Sequence, residues 1–210
     1  MTKQVNKDAY EFLPYCYPDR WASYYYQLRE VIKLRPSSVL EIGTGDGVFK
    51  RYLKNNTDIT YTNLDIAADL SPDIVGTVEK IPLPDKSVDV VVAFEVLEHI
   101  PFERFETALS ELARVARKAV VISLPHFGPP VKFSMKVPFL PEIRLAFKIP
   151  FPKKHIFNGE HYWEIGKRGF SVSHIRSVIK KYFSIEQEFI PFENQYHHFF
   201  VLSLNFKEQK

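Results

Sequence analysis

The stretch from Ser38 to Phe49, S-V-L-E-I-G-T-G-D-G-V-F, constrains the fold more than any other part of the chain. Its apolar first half, which ends at Ile42, is typical of a strand buried on both faces, and glycine then occupies every second position of a turn. Glycine reaches positive φ angles and has no Cβ, so a ligand can lie directly against this backbone. Asp46 can cap a helix that begins near Val48. The stretch therefore predicts a strand, a ligand-binding turn and a helix.

The spacing of these glycines separates two classes of cofactor. A dinucleotide-binding fingerprint, G-x-G-x-x-G, needs its third glycine at position 48, where the chain has Val48. The glycines instead follow Glu41 in the order E-x-G-x-G-x-G, at Gly43, Gly45 and Gly47. This pattern resembles the first motif of the class I S-adenosylmethionine (SAM)-dependent methyltransferases. The resemblance implies that Glu41 faces the methionine ammonium group through water, while the glycine backbone packs against SAM.

A second acid follows the glycine turn at the distance of about one helix and one strand. This acid, Asp65, closes a predicted strand over residues 60–64. In the family that the glycine motif resembles, the acid at this position accepts hydrogen bonds from both ribose hydroxyls, and Ile66 is included with it among the implied cofactor-binding residues. An exposed aspartate that merely ends a strand is the alternative interpretation.

A longer motif, G-T-V-E-K-I-P-L-P-D-K-S-V-D-V, begins at residue 76 and resembles a run near D-A-E-x-L-P-F-P-D-x-S-F-D-x-V in these enzymes. Thr77 stands where the family usually has the acid that accepts the adenine amino group, and a hydroxyl makes a weaker bond than a carboxylate. The backbone N–H of Val78 can hold the adenine ring. After the next strand, residues 88–93, the resemblance implies that the Phe94 backbone contacts the methionine part and that Leu97 lines the adenosine.

The end of that strand permits a metal site as a weaker alternative. Acids and an imidazole at helical spacing can converge on a metal ion, here Glu95, Glu98 and His99. In some similar methyltransferases of quinone biosynthesis this E-x-x-E-H run binds a divalent ion, but the main prediction is that there is no metal. Methyl transfer needs a base only if the acceptor must lose a proton. The candidates are His126 after the fifth strand, His161 and Glu95, and a structural role is the alternative for each.

Residues 1–36 predict a helical cap beside the first strand. Pro18 and Asp19 can begin a helix. The residues that recur at helical spacing, and so form its expected packing face, are Trp21, Tyr25, Leu28 and Ile32. In similar methyltransferases an N-terminal helix covers the cofactor, and the side chains that could reach the methionine carboxylate are Arg20, Tyr24 and Arg29.

Residues 125–160 predict an insertion without regular structure. Seven prolines lie from Pro125 to Pro152, and proline disfavours a regular helix or a central strand. Apolar side chains alternate there with lysine and arginine, and Glu142 is the only acid between residues 127 and 158. Such a segment suits a lid over the substrate. It also suits contact with an anionic amphiphile or a membrane surface.

Composition narrows the class of protein. A chain of 210 residues with 45% hydrophobic residues fits a single α/β domain. The net charge of +3, from 28 basic and 25 acidic side chains, is too small to favour a nucleic-acid-binding protein. Cys16 is the only cysteine, which favours a reducing compartment. Because no run resembles a signal peptide or a membrane span, we expect a soluble, cytoplasmic protein.

The C-terminal segment completes the predicted fold. Ser171 or Ser173 can cap a helix, and two strands, residues 183–190 and 197–204, are joined by a connection compatible with a hairpin. Five parallel strands with this antiparallel ending give an α/β, Rossmann-like, doubly wound seven-stranded sheet, in the order 3-2-1-4-5-7-6 by resemblance. The whole chain, residues 1–210, is then one domain.

The function implied is a SAM-dependent methyltransferase that produces S-adenosylhomocysteine (SAH). Its expected acceptor is a small molecule or a lipid-linked, anionic compound, with peripheral membrane contact through the basic insertion. A SAM- or SAH-binding protein without turnover is one alternative. A nucleic-acid methyltransferase is another, disfavoured because no N/D-P-P-Y/F motif follows the fourth strand. The sequence leaves the oligomeric state open.

Overall fold

A computed structural model of the protein describes residues 7–205, so the first six residues of the predicted N-terminal cap lie outside the described part. The strands of this part are β1 Ser38–Ile42, β2 Thr60–Asp65, β3 Ile74–Val75, β4 Val88–Phe94, β5 Ala116–Pro125, β6 Pro130–Met135, β7 Ile143–Lys148, β8 Phe183–Phe189 and β9 His197–Leu204. Its α-helices are α1 Phe12–Tyr15, α2 Pro18–Lys33, α3 Val48–Asn56, α4 Phe105–Val115 and α5 Val172–Ile179. Short 3₁₀ turns cover Lys7–Tyr10, Ala68–Leu70, Leu97–His99 and Phe102–Arg104.

Seven of these strands form one sheet in the order β3-β2-β1-β4-β5-β9-β8. The first five are parallel, and β9 runs antiparallel to both β5 and β8. Because the hairpin β6–β7 lies outside this sheet, β8 and β9 are its sixth and seventh strands. The predicted fold class and strand order are therefore confirmed. Ser171 caps α5, since its hydroxyl accepts a hydrogen bond from the His174 N–H at 3.2 Å.

The central strands are apolar throughout because both of their faces are covered by helices. In β4, Val91 and Ala93 contribute to the core beneath α4 and α5, whereas Val90 and Val92 contribute to the core on the side of α3. This arrangement leaves the carboxyl ends of the parallel strands free to form a site.

The predicted packing face of α2 is wrong. Trp21 is 47% exposed and Tyr25 is 60% exposed. The buried residues of this helix are Ser23, Tyr24, Gln27, Glu30 and Val31. This face is mostly polar because it contacts polar groups of the sheet edge. For example, the Asn194 side-chain amide donates to the Ser23 hydroxyl at 2.9 Å.

The prediction that the insertion lacks regular structure is also wrong. Strands β6 and β7 form an antiparallel hairpin, in which Val131 is paired with Phe147 and Met135 with Ile143. The prolines begin the hairpin or lie in its turn and flanking segments instead of interrupting its ladder, which agrees with the confinement of proline to strand starts and edges. No helix between residues 7 and 205 combines the length and apolarity needed to cross a bilayer.

Candidate cofactor site

A cavity lies at the carboxyl ends of β1, β2 and β4, beneath α2 and the turn that precedes it. Its empty volume is about 1040 Å³, including the open mouth, against about 300–1,000 Å³ for typical small-molecule sites. The predicted cofactor residues that line it are Glu41, Gly43, Gly45, Asp65, Ile66 and Phe94. Residues far apart in sequence meet there because parallel strands deliver their carboxyl ends to one edge of the sheet.

The glycine turn adopts left-handed backbone angles, with φ of 81° at Gly43, 52° at Gly45 and 72° at Gly47. A Cβ added to Gly43 would lie 2.5 Å from Val96 Cγ2, so only glycine fits there. A Cβ added to Gly45 would meet only Tyr15 Oη, at 3.9 Å, and this side of the turn is therefore open to the cavity. Gly47 precedes the first residue of α3 and does not line this cavity.

Asp65 is held in one orientation by the backbone around it. The Thr44 N–H donates to Asp65 Oδ2 at 2.6 Å, and the Ala67 N–H donates to Asp65 Oδ1 at 2.8 Å. A carboxylate offers about four acceptor positions, so each oxygen keeps one free. Asp65 is 9% exposed and lines the cavity. The arrangement can accept a pair of hydroxyl groups from a bound ligand.

Glu41 lies deeper in the same wall. It is 5% exposed and accepts a hydrogen bond from the Tyr61 hydroxyl. Burial raises the pKa of Glu41 to about 8, because the charged form loses its hydration. A cationic group placed beside this carboxyl would favour its ionised form.

The roof of the cavity comes from the N-terminal segment. Arg20 stacks over the Tyr15 ring, with its Cζ 3.8 Å from the ring centroid, and its buried Nε has no hydrogen-bond partner among the described residues. The Tyr24 hydroxyl donates to Asp46 Oδ2 at 2.7 Å and ties α2 to the glycine turn. Arg29 does not line the cavity, since it pairs with Glu30 at 2.5 Å. The structure thus leaves Arg20 as the cation at this end.

The opposite end of the cavity contains Glu95, His99 and His197. Glu95 has a positive φ of 53°, a strained conformation for a residue other than glycine. Burial raises the pKa of Glu95 to about 8 and lowers the pKa of His197 to about 3. The two side chains approach closely, with His197 Nε2 at 3.7 Å from Glu95 Oε2.

His126, the first candidate base from the sequence, lies outside this cavity. Its ring stacks on His198, and their Nδ1 atoms are 3.1 Å apart. His198 in turn pairs with Glu188 at 2.7 Å. Burial lowers the pKa of His126 to about 3, so its imidazole is a weak base. The second candidate, His161, also does not line the cavity and lies 3.3 Å from Glu164.

The remaining predicted residues surround the cavity without lining it. Thr77 pairs with Lys80 in an isolated bridge. Val78 and Leu97 belong to the core, at 3% and 0% exposed. They are buried because the motif that contains Val78 and the turn that contains Leu97 pack their apolar side chains beneath β4 rather than beyond its end.

Sequence reasoning missed several residues of the cavity wall, among them Tyr10, Tyr15, Gln27, Thr44, Leu70 and His197. A signal for His197 was available: β9 runs antiparallel, so its first residue lies at the edge where the parallel strands end, and His197 pairs with Pro125 at the end of β5. The aromatic residues before α2 gave no periodic pattern that could separate a roof from a surface.

Comparisons with known proteins agree with this geometry. Residues 40–124 match the model of a family described as "methyltransferase domain". Among curated proteins, no sequence matches.

Solved structures share the fold at low sequence identity. The N-methyltransferase NodS from Bradyrhizobium japonicum WM9, solved with SAH, has a TM-score of 0.60 and 11% identity, over 96% of this chain and 94% of that chain. The magnesium protoporphyrin IX methyltransferase from Synechocystis PCC 6803, solved with SAM, has a TM-score of 0.56 and 15% identity, over 89% and 80%. The small RNA methyltransferase HEN1 has a TM-score of 0.63 and 14% identity, over 98% of this chain and 26% of that chain.

These proteins act on different acceptors, so the likeness extends to the fold alone. The family match, however, covers the glycine turn, Asp65 and the strand that ends at Phe94, which are the elements that build the cavity. Together with the order of the seven strands, it places this chain in the class I SAM-dependent methyltransferase family, with SAM as its cofactor.

Proposed function

We propose that the cavity beneath α2 binds SAM and that the protein transfers its methyl group to a small-molecule or lipid-linked acceptor. The observation that carries this proposal is the position of Asp65, which lies in one cavity with Glu41 and Arg20 and is fixed by two backbone N–H groups. In this proposal Asp65 accepts the two ribose hydroxyls. Glu41 faces the methionine ammonium group, and Arg20 pairs with the methionine carboxylate.

The residues present fit such a ligand. The buried Nε of Arg20 lacks a hydrogen-bond partner, and the open side of Gly45 allows close approach to the backbone. The apolar end of the cavity, with Ile66 and Leu70, suits a flat ring such as adenine. SAM supplies a sulfonium methyl group that a nucleophile can take by in-line attack. The chain holds the two reactants in line, and such positioning can provide effective molarities of about 10⁵ M or more.

The acceptor end of the cavity is the end that contains Glu95 and His197. Of the three candidate bases, Glu95 alone lines the cavity. Its pKa of about 8 lies close to neutrality, which suits a group that must take a proton from an acceptor and release it again. We therefore assign Glu95 as the base for acceptors that must lose a proton. His126 and His161 have other roles in this proposal.

The hairpin β6–β7 supports an apolar, membrane-associated acceptor. Its outward face carries only apolar side chains, which are Val131, Phe133, Met135, Ile143, Leu145 and Phe147, each between 40% and 62% exposed. Its other face contacts the protein, since Lys132 donates to the Glu193 carbonyl at 3.1 Å and Arg144 pairs with Glu193 at 2.6 Å. Phe139, in the turn, is fully exposed.

Exposed cations flank this apolar face, at Lys136, Lys153 and Lys154. Each lysine near an anionic bilayer contributes about 1 kcal/mol to binding. We propose that the hairpin contacts an anionic membrane surface and brings the acceptor end of the cavity close to a lipid-linked compound. The single cysteine suits a reducing compartment, and the cytoplasm belongs to the same proposal.

Two experiments test the proposed function. Isothermal titration calorimetry with SAM and SAH tests the cofactor site, and absence of binding to both would overturn it. Transfer of a labelled methyl group from SAM to a cell extract, sorted into lipid, small-molecule and polymer fractions, tests the acceptor. Label in the polymer fraction would instead favour a nucleic-acid or protein methyltransferase, and binding without any labelled product would favour a protein that binds SAM without turnover.

Membrane contact has its own test, sedimentation with vesicles that contain phosphatidylglycerol. The wild-type protein is expected to sediment with them and less with neutral vesicles. The double variant Phe139→Ser/Leu140→Ser should reduce the bound fraction at least about fivefold, while Tyr52→Ser, at an exposed aromatic residue of α3, should not. Equal binding by all three proteins would contradict the proposal.

A further inference from the structure

Three side chains converge beside the acceptor end of the cavity. Glu98 and His99 lie in the 3₁₀ turn after β4, and His161 follows the hairpin insertion. One ligand atom from each lies within 4.8 Å of the other two. The sequence analysis had considered Glu98 and His99 apart from His161, because the insertion separates them in the chain.

The carboxylate at the centre of this cluster is unusual. Glu98 is 0% exposed, and neither of its oxygens has a hydrogen-bond partner among the described residues. Both imidazole Nε2 atoms lie 3.9 Å from the same Glu98 oxygen, beyond hydrogen-bond distance. Buried carboxylates are normally paired, hydrogen-bonded or bound to a metal ion, and the first two are missing here.

The two imidazoles are oriented as metal ligands are. His99 Nδ1 lies 3.1 Å from the Glu160 carbonyl oxygen, and His161 Nδ1 lies 3.3 Å from Glu164 Oε1. Because a carbonyl or carboxylate oxygen only accepts, each Nδ1 carries the proton and each neutral Nε2 has its lone pair towards Glu98. Donation of the second ring N–H to such an oxygen is the arrangement that fixes histidine ligands around metal ions.

We propose that Glu98, His99 and His161 bind one divalent transition-metal ion through a carboxylate oxygen and the two Nε2 atoms. Two imidazoles with one carboxylate suit Zn²⁺, Mn²⁺, Fe²⁺ or Co²⁺, whereas Ca²⁺ and Mg²⁺ take oxygen ligands. Ligand atoms bonded to a tetrahedral ion at about 2.0 Å are about 3.3 Å apart. The observed 3.9 Å separations therefore require a contraction of less than about 1 Å.

Three protein ligands leave a coordination position open, as in catalytic metal sites. That position borders the cavity, because His99 lines it beside Glu95. An oxygen of the methyl acceptor could bind there and lie next to the proposed base. This role rests on the proposed function, whereas metal binding itself does not.

The test uses the full-length protein, stripped with a chelator and dialysed against excess Zn²⁺, followed by elemental analysis. We expect about one zinc ion per wild-type chain. Glu98→Gln and His161→Gln should each bind less than about a tenth of that amount. The control His174→Gln, at an exposed histidine of α5, should bind as the wild type does. Co²⁺ should give the visible absorption of a low-symmetry nitrogen–oxygen site in the wild type and lose it in His161→Gln.

Wild-type protein without bound Zn²⁺ or Co²⁺ would overturn the proposal, and so would unchanged stoichiometry in both variants. Circular dichroism melts identify any variant that fails to fold. If Glu98→Gln is unfolded, the wild-type stoichiometry and His161→Gln carry the test. Calorimetry with SAM on the same preparations separates the two proposals: protein that binds zinc but not SAM refutes the function alone, and protein that binds SAM but not zinc refutes the metal site alone.

Discussion

Removal of the Asp65 carboxylate tests the register of the proposed cofactor site directly. In the proposal, the two free acceptor positions of Asp65 receive both ribose hydroxyls. A hydrogen bond to a charged group contributes about 1.5–3 kcal/mol. For two such bonds at the lower value, Asp65→Ala should cost about 3 kcal/mol, or roughly 150-fold in Kd for SAM.

The same substitution also affects folding, and this effect has to be measured separately. Asp65 accepts hydrogen bonds from the Thr44 and Ala67 N–H groups. Loss of both should lower the free energy of unfolding by about 2 kcal/mol, at about 1 kcal/mol for each bond. Asp65→Asn keeps one side-chain acceptor oxygen and should lie between wild type and Asp65→Ala in both measurements.

The assay is isothermal titration calorimetry with SAM and with SAH, at a temperature where urea denaturation shows each variant to be folded. Thr77→Ala is the matched control, because Thr77 stands at the predicted adenine position but does not line the cavity. It should weaken binding by less than about threefold. The reasoning is refuted if Asp65→Ala binds SAM within about threefold of wild type, or if Thr77→Ala loses more affinity than Asp65→Ala.

Three further outcomes follow from the site geometry. The pKa of Glu41, raised by burial to about 8, should fall when an ammonium group binds beside it, so SAM binding at about pH 7 should release a proton and tighten as pH rises to about 8; calorimetry in buffers of different ionisation enthalpy measures this, and Glu41→Gln should abolish it, whereas proton uptake would contradict it. Tyr24→Phe should lower the free energy of unfolding by about 1 kcal/mol in urea denaturation through loss of its hydrogen bond to the glycine turn, while Tyr25→Phe, at an exposed position, should not; equal effects would argue against that bond. Gly43→Ala should be more destabilising than Gly159→Ala by about 1–3 kcal/mol in the same assay, because both have positive φ but only the first meets a neighbouring side chain; similar losses would mean that the close packing is absent.

The parts of the fold that local chemistry dictates could be predicted from the sequence. The apolar run in β4 is continuous because both of its faces are buried, and such a run indicates a central parallel strand without further information. The alternate glycines predicted a turn with positive φ, and Gly43 and Gly45 adopt it at the cavity. The family resemblance supplied the strand order, which periodicity alone cannot give.

Features that depend on distant partners could not be predicted. The buried face of α2 is polar because Ser23 and Tyr24 meet Asn194 and Asp46, and no spacing within the helix contains that information. His161 reaches Glu98 only because the whole insertion returns to the sheet edge. The hairpin was missed for a different reason: its prolines suggested irregular structure, although the alternation from Val131 to Met135 is that of a strand with one apolar face.

The wall of the cavity extends in sequence from Tyr10 to His197. Domains fold as units, and synthesis proceeds from the N-terminus. A nascent chain therefore has no complete cofactor site until β9 has left the ribosome, even though the glycine turn is made in the first quarter of the protein. The ability to bind the methyl donor is consequently a property of the finished chain, and cofactor binding stabilises only molecules that have reached the final fold.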